Sequence, residues 1–140
     1  MDRSLLIQQA EKVLKENGEE WLRCAIGRAY YYLYHSAILF TNGEVPMRGR
    51  NGEKLSGGMH NKLQQYFSCH CADGINGRYS PILLKKLGVF LKIQHKRRCD
   101  ADYRLSLPIN PTVVRTSIRE IKIMVSEIEF EIKVRAHENK

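Results

Sequence analysis

The chain has 140 residues, 43% of them hydrophobic, which suits one domain spanning 1–140 with a core that needs no disulfide or metal staple. Lys and Arg number 23 against 15 Asp and Glu, a formal charge of +8 and a pI near 9.5, and this balance favours an anionic partner such as RNA, DNA or a nucleotide. The N-terminal stretch MDRSLLIQQAEKVLKE alternates charges with apolar residues, so it reads as neither a signal peptide nor a membrane span. A cytoplasmic protein without a membrane partner is expected, with Cys24, Cys69, Cys71 and Cys99 kept as thiols.

In chain order, Leu5, Leu6, Gln9, Ala10, Val13 and Leu14 recur at spacings of three and four and predict an amphipathic helix over 3–16, stopped by Asn17-Gly18. A second helix is predicted over 19–41, ending at Asn42-Gly43; it is apolar nearly all round from Ala25 to Phe40 and so belongs at the centre of a bundle. Residues 43–58, with five glycines and one proline, lack periodicity and read as a flexible loop carrying Arg48, Arg50 and Lys54. A third helix over 59–68 places Met59, Leu63, Tyr66 and Phe67 on one side.

Ser80 as N-cap and Pro81 at the first helical position open a fourth helix, which Leu83, Leu84, Leu87, Phe90, Leu91 and Gln94 carry toward Arg98. The stretch 92–111 reads as leaving that helix in extended form, because each proline disfavours the α conformation at the residue before it. A last helix from Asn110-Pro111 to about Arg135 buries Val114, Ile118, Ile121, Met124, Val125, Ile128 and Ile132. The expected fold is all-α, an antiparallel helical bundle of four to five helices.

Arg28 and His35 stand out within the apolar second helix. At about 100° per residue they share one face, with Tyr31 and Tyr32 between them. An unpartnered buried guanidinium is costly, so Arg28 must meet a carboxylate, a carbonyl, a solvent cleft or a ligand phosphate. Asp102 or Asp100 would serve as a structural partner, and His35 would then hydrogen-bond within a tyrosine-rich core.

Three segments carry a family resemblance. Arg28-Ala29-Tyr30-Tyr31-Tyr32-Leu33-Tyr34-His35, Met59-His60, and Arg98-Cys99-Asp100-Ala101-Asp102-Tyr103 resemble, in that order, the R-A-Y-Y-x-x-[FY]-H helix, the later Met-His pair and the R-x-x-A-D-Y signature of small stand-alone HEPN proteins. The resemblance covers about 5–135 and implies a HEPN-like bundle. Many members of that family are metal-independent ribonucleases in which an arginine and a histidine four to six residues apart act together, so Arg28 and His35, with six residues between them, take the catalytic positions. Such a histidine exchanges a proton with the ribose 2′-OH or the leaving 5′-oxygen while the arginine holds the phosphate, without a cofactor. Ribonuclease members usually have a polar residue after the arginine, where this chain has Ala29.

The resemblance further implies a homodimer acting on RNA, as a toxin or defence effector; the alternative is a non-catalytic nucleotide- or RNA-binding module or the partner of a small nucleotidyltransferase antitoxin. Expected substrate contacts are Tyr31, Tyr32, Lys96, Arg97, Arg98, Asp102 and Tyr103, with stacking by tyrosine and phosphate binding by the basic cluster. The plainer reading of that cluster is a solvated helix end complementing the helix dipole. His60 assists the site or packs near a helix start. Cys69, His70, Cys71 and Cys99 offer zinc-ligand types, but one C-x-C without a second spaced pair is a weak metal signal, and no metal is expected.

Overall fold

The computed structural model describes residues 1–49, 51–69 and 78–138, with only the backbone at 69. Five helices, α1 (Ser4–Val13), α2 (Glu19–Ala37), α3 (Met59–Cys69), α4 (Pro81–Tyr103) and α5 (Pro111–Glu138), make up most of the described residues, with no strand among them. This is the all-α bundle that the apolar periodicities predict. A 3-10 turn, Ile38–Thr41, extends α2, and Asn42 (φ 57°) and Gly43 (φ 83°) then end it in the left-handed region that asparagine and glycine tolerate.

Side-chain contacts fix the packing directions. Arg3 of the chain start meets Ser36 near the end of α2, and Lys122 of α5 meets Glu11 while Arg3 meets Glu129, so α1 runs antiparallel to both. Arg97 reaches Ser117 and Lys86 reaches Glu127, which sets α4 antiparallel to α5. Core residues come from all five helices, with Tyr30, Leu33, Phe67, Leu84, Leu87, Leu91, Ile121 and Ile128 fully buried. Gly88 lets α3 and α4 approach closely: a Cβ there would stand 2.6 Å from the backbone N and 2.9 Å from the Cα of Ser68.

Two expectations are corrected. The fourth helix does not end at Arg98 but continues to Tyr103, and only the following segment to Pro111 is non-helical. The prolines at 108 and 111 restrict the residue just before each of them, so they have no hold on residues 92–103. Residues 43–58 do form a loop, yet it is tethered: Leu55 is 1% exposed, Arg48 and Lys54 form an isolated antiparallel bridge, and Arg48 donates to the Gly52 carbonyl at 3.0 Å. Arg50 lies outside the described residues.

Candidate nucleic-acid site

The centre of the bundle holds a polar aromatic cluster built by α2, α3 and α4. Spacings of three and four put Tyr30, Tyr31 and Tyr34 of α2 beside His60 at the start of α3, with ring centroids 5.4, 6.2 and 5.0 Å from it. His60 stacks on His95 of α4 at 4.7 Å and 18°. Burial raises the Tyr30 phenol above its ordinary range, with Tyr34 adding to the effect, so its O–H remains, and its oxygen is hydrogen-bonded to His60 Nδ1 at 2.6 Å. On His95, the Gln64 amide donates to Nδ1 at 3.3 Å, which leaves Nε2–H directed at Cys99 Sγ, 3.4 Å away. Burial, followed for His60 by the neighbouring His95 and for both by Arg98, holds both rings below the usual histidine value and so favours their neutral forms.

Arg98 covers the mouth of this cluster. Its guanidinium lies 5.2 Å from the centroid of Tyr31 and 5.8 Å from that of Tyr103, and its Nε is 2.9 Å from Asp102 Oδ2. That Nε makes no aligned hydrogen bond among the described residues, so the Asp102 contact is an ion pair alone. Burial works against the charge, but Tyr31, Asp102 and Tyr103 outweigh it and raise Arg98 above its ordinary value. Tyr103 is 72% exposed and offers a free ring face beside the guanidinium.

The expected meeting of Arg28 with Asp102 does not occur. Asp102 belongs to Arg98, one helical turn earlier in α4, a pairing that the continued helix makes available and an extended segment would not. Nor is Arg28 the buried arginine of α2. It is exposed, without an ion pair or hydrogen bond among the described residues. The guanidinium that α2 buries is that of Arg23, with its side chain 11% exposed. It donates to the carbonyls of Leu107 at 2.6 Å and Ala101 at 2.8 Å and to Glu19 at 2.9 Å, closing the C-terminal end of α4.

His35, for which a hydrogen bond within the tyrosine core is the plainer alternative to a catalytic role, stands exposed at its rim, 5.2 Å from Tyr34 and 6.4 Å from Tyr31 by ring centroids. It also borders a recess of about 530 Å³ with Asp2, Arg3 and Leu39. Arg28 and His35 lie on one exposed stripe of α2 with Trp21 and Leu39, which are 38% and 39% exposed. Seven residues at 1.5 Å separate the two along the axis by about 10 Å, with Tyr31 between them.

Other expected contacts go elsewhere. Tyr32 faces α1, with Arg3 5.8 Å from its ring centroid. Lys96 pairs with Asp100 at 3.0 Å, and Arg97 turns to α5, donating to Ser117 at 2.6 Å. Thus Tyr31, Arg98, Asp102 and Tyr103 come together, while Tyr32, Lys96 and Arg97 do not join them. Reading the basic cluster as one patch overlooks the helix: residues one apart on α4 point about 100° from each other. No group of three His, Cys, Asp or Glu side chains among the described residues is placed to hold a metal ion, and the side chain of Cys69 and all of His70 and Cys71 lie outside what is described. No helix of the described residues is long and apolar enough to cross a membrane.

No protein-family model, no curated protein and no solved structure matches this chain.

Proposed function

We propose that the chain is a metal-independent endoribonuclease of HEPN type, a toxin or defence effector, in which Arg28 and His35 of a symmetric dimer line one cleft. The observation carrying this reading is that both side chains stand exposed on a single stripe of α2, Arg28 with no polar partner among the described residues, while the Tyr31 ring between them meets the Arg98 guanidinium. In the reaction His35 takes the proton of a ribose 2′-OH, whose oxygen attacks the phosphorus. The 5′-oxygen leaves with a proton from the second His35, and the products are a 2′,3′-cyclic phosphate and a 5′-OH. Arg28 stabilises the negative charge that builds on the phosphate. DNA, lacking the 2′-OH, is not cut.

A symmetric dimer through this stripe would cover Trp21 and Leu39, which are 38% and 39% exposed at its ends. A second reading, a non-catalytic module that binds RNA or a nucleotide, alone or with a nucleotidyltransferase, is favoured by one observation. Ala29 is fully buried, so the position after Arg28 points into the core and supplies nothing polar to the surface. Incubating single-stranded RNA with the protein in EDTA separates the two: cleavage with cyclic-phosphate ends, lowered on the order of 100-fold in Arg28→Ala and abolished in His35→Ala, is expected. Binding without cleavage selects the module, and a monomeric mass by light scattering at micromolar concentration removes the shared cleft.

A further inference from the structure

We infer that a groove between α1 and α5 is a second, sequence-independent surface for the phosphate backbone of RNA; this rests on the RNA reading above and extends the footprint beyond the Arg28 and His35 stripe. The groove has a volume of about 790 Å³ and no residue of α2, α3 or α4 lines it. Lys12 and Lys15 stand on one wall, Arg115 and Arg119 on the other, and none of the four has an ion pair or side-chain hydrogen bond among the described residues. Lys122 is neutralised by Glu11 at 3.3 Å, so the acid of the groove is already engaged. Glu19, which borders an adjoining recess with Arg115, is held by Arg23 at 2.9 Å.

Four unpaired cations on facing walls form a positive channel in a chain of charge +8, and a channel of this kind raises the local concentration of polyanions. Arg115 and Arg119 are one turn apart, about 6 Å along the axis, so both guanidinium forks reach the same strand. Leu14 and the buried Ile118 line the groove and give the long basic stems apolar surface to lie along. No aromatic side chain lines the groove, so bases have nothing there on which to stack. Recognition therefore falls on the phosphates and is indifferent to sequence. An acidic protein helix would meet the same charges, and the test separates it from RNA.

The test measures binding of a 20-nucleotide oligouridylate to the full chain between 50 and 300 mM salt. A His35→Ala background keeps the RNA intact, and EDTA is present throughout. Replacing Lys12, Lys15, Arg115 and Arg119 together by glutamine is expected to lower the slope of log K against log salt by about 0.7 for each phosphate left without its cation, up to about 2.8 in all. An oligoadenylate should show the same decrease. If the fourfold variant loses helicity by circular dichroism, Arg115→Gln with Arg119→Gln alone should show half the change. An unchanged slope in a folded variant overturns the proposal. So does a loss of affinity for an oligoglutamate peptide with oligouridylate binding preserved, because the occupant is then an acidic protein. Cleavage of a dinucleotide, too short to span both surfaces, keeps the two readings apart: failure of the groove leaves it intact in wild type, whereas failure of the Arg28 and His35 reading abolishes it and leaves the slope change.

Discussion

The two arginines of α2 should behave oppositely when removed, and the contrast follows from what each one touches. Arg23→Met keeps the aliphatic stem but deletes a guanidinium that is 11% exposed and closes the end of α4 through Leu107 at 2.6 Å and Ala101 at 2.8 Å, with Glu19 as its counter-ion. Hydrogen bonds to a charged group contribute about 1.5–3 kcal/mol each, and Ala101, 1% exposed, would keep its carbonyl without that donor. A net loss of about 3 kcal/mol is expected, which for a chain of this size lowers Tm by about 10 °C. Arg28→Ala removes an exposed side chain without a polar partner among the described residues, so stability should stay within about 0.5 kcal/mol of wild type. RNA cleavage should nevertheless fall on the order of 100-fold, the scale for losing one donor to developing charge. Thermal melts and an RNA assay on both variants provide the comparison. A large loss of stability in Arg28→Ala with RNA behaviour unchanged would refute the functional role of the stripe, and a neutral Arg23→Met would refute the packing argument.

The stacked His60 and His95 should make stability fall with acid. Their folded values lie below the unfolded value near 6.5, so the unfolded chain binds protons first; their contribution is complete above about pH 6.5 and declines as pH drops toward the folded values. Two rings give at most about 2.7 kcal/mol per pH unit, and roughly half of that is expected because both are partly open to water. Urea melts at pH 7.5 and 5.5 should show the loss in wild type and less of it in His95→Gln; equal stability at the two pH values would contradict the neutral pair. Gly88→Ala should destabilise by about 1–2 kcal/mol, since the new methyl meets the Ser68 backbone and the overpacking exceeds the roughly 1 kcal/mol gained in helix propensity. A gain in urea midpoint would show that α3 can shift freely away from α4.

The helices are legible in the sequence because each buries a stripe at helical period and carries its own punctuation: Asn42-Gly43 ends α2 with its 3-10 turn, and the Ser80 hydroxyl accepts from the Leu83 N–H at 3.3 Å at the head of α4. The end of α4 is harder to read. The prolines at 108 and 111 suggest extended backbone, whereas the i,i+4 pairs Lys96 with Asp100 and Arg98 with Asp102 mark one continuous helix through the charged stretch. Those pairs assign Asp102 to Arg98 and leave Arg28 to solvent.

Burial is the harder inference for the site, because the sequence states which residues share a helical face but not which neighbour covers that face. Tyr30, Tyr31, Tyr34 and His35 span about 140° of α2, and whether α1, α3 or α4 closes over a given part of that arc depends on contacts far apart in sequence. The structure closes α3 and α4 over Tyr30 and Tyr34, through His60 and His95, and leaves the arc of Arg28 and His35 open. Two kinds of histidine result. His60 and His95 are held neutral by partners on several helices, which suits a structural pair and makes proton uptake there costly. His35 borders an open recess and meets the Tyr34 ring edge-on and the Tyr31 ring at 34°, so a substrate can approach it without breaking the core. General acid and base chemistry needs the second environment, and on this ground the proposed ribonuclease reading assigns the proton transfer to His35 rather than to the better connected His60.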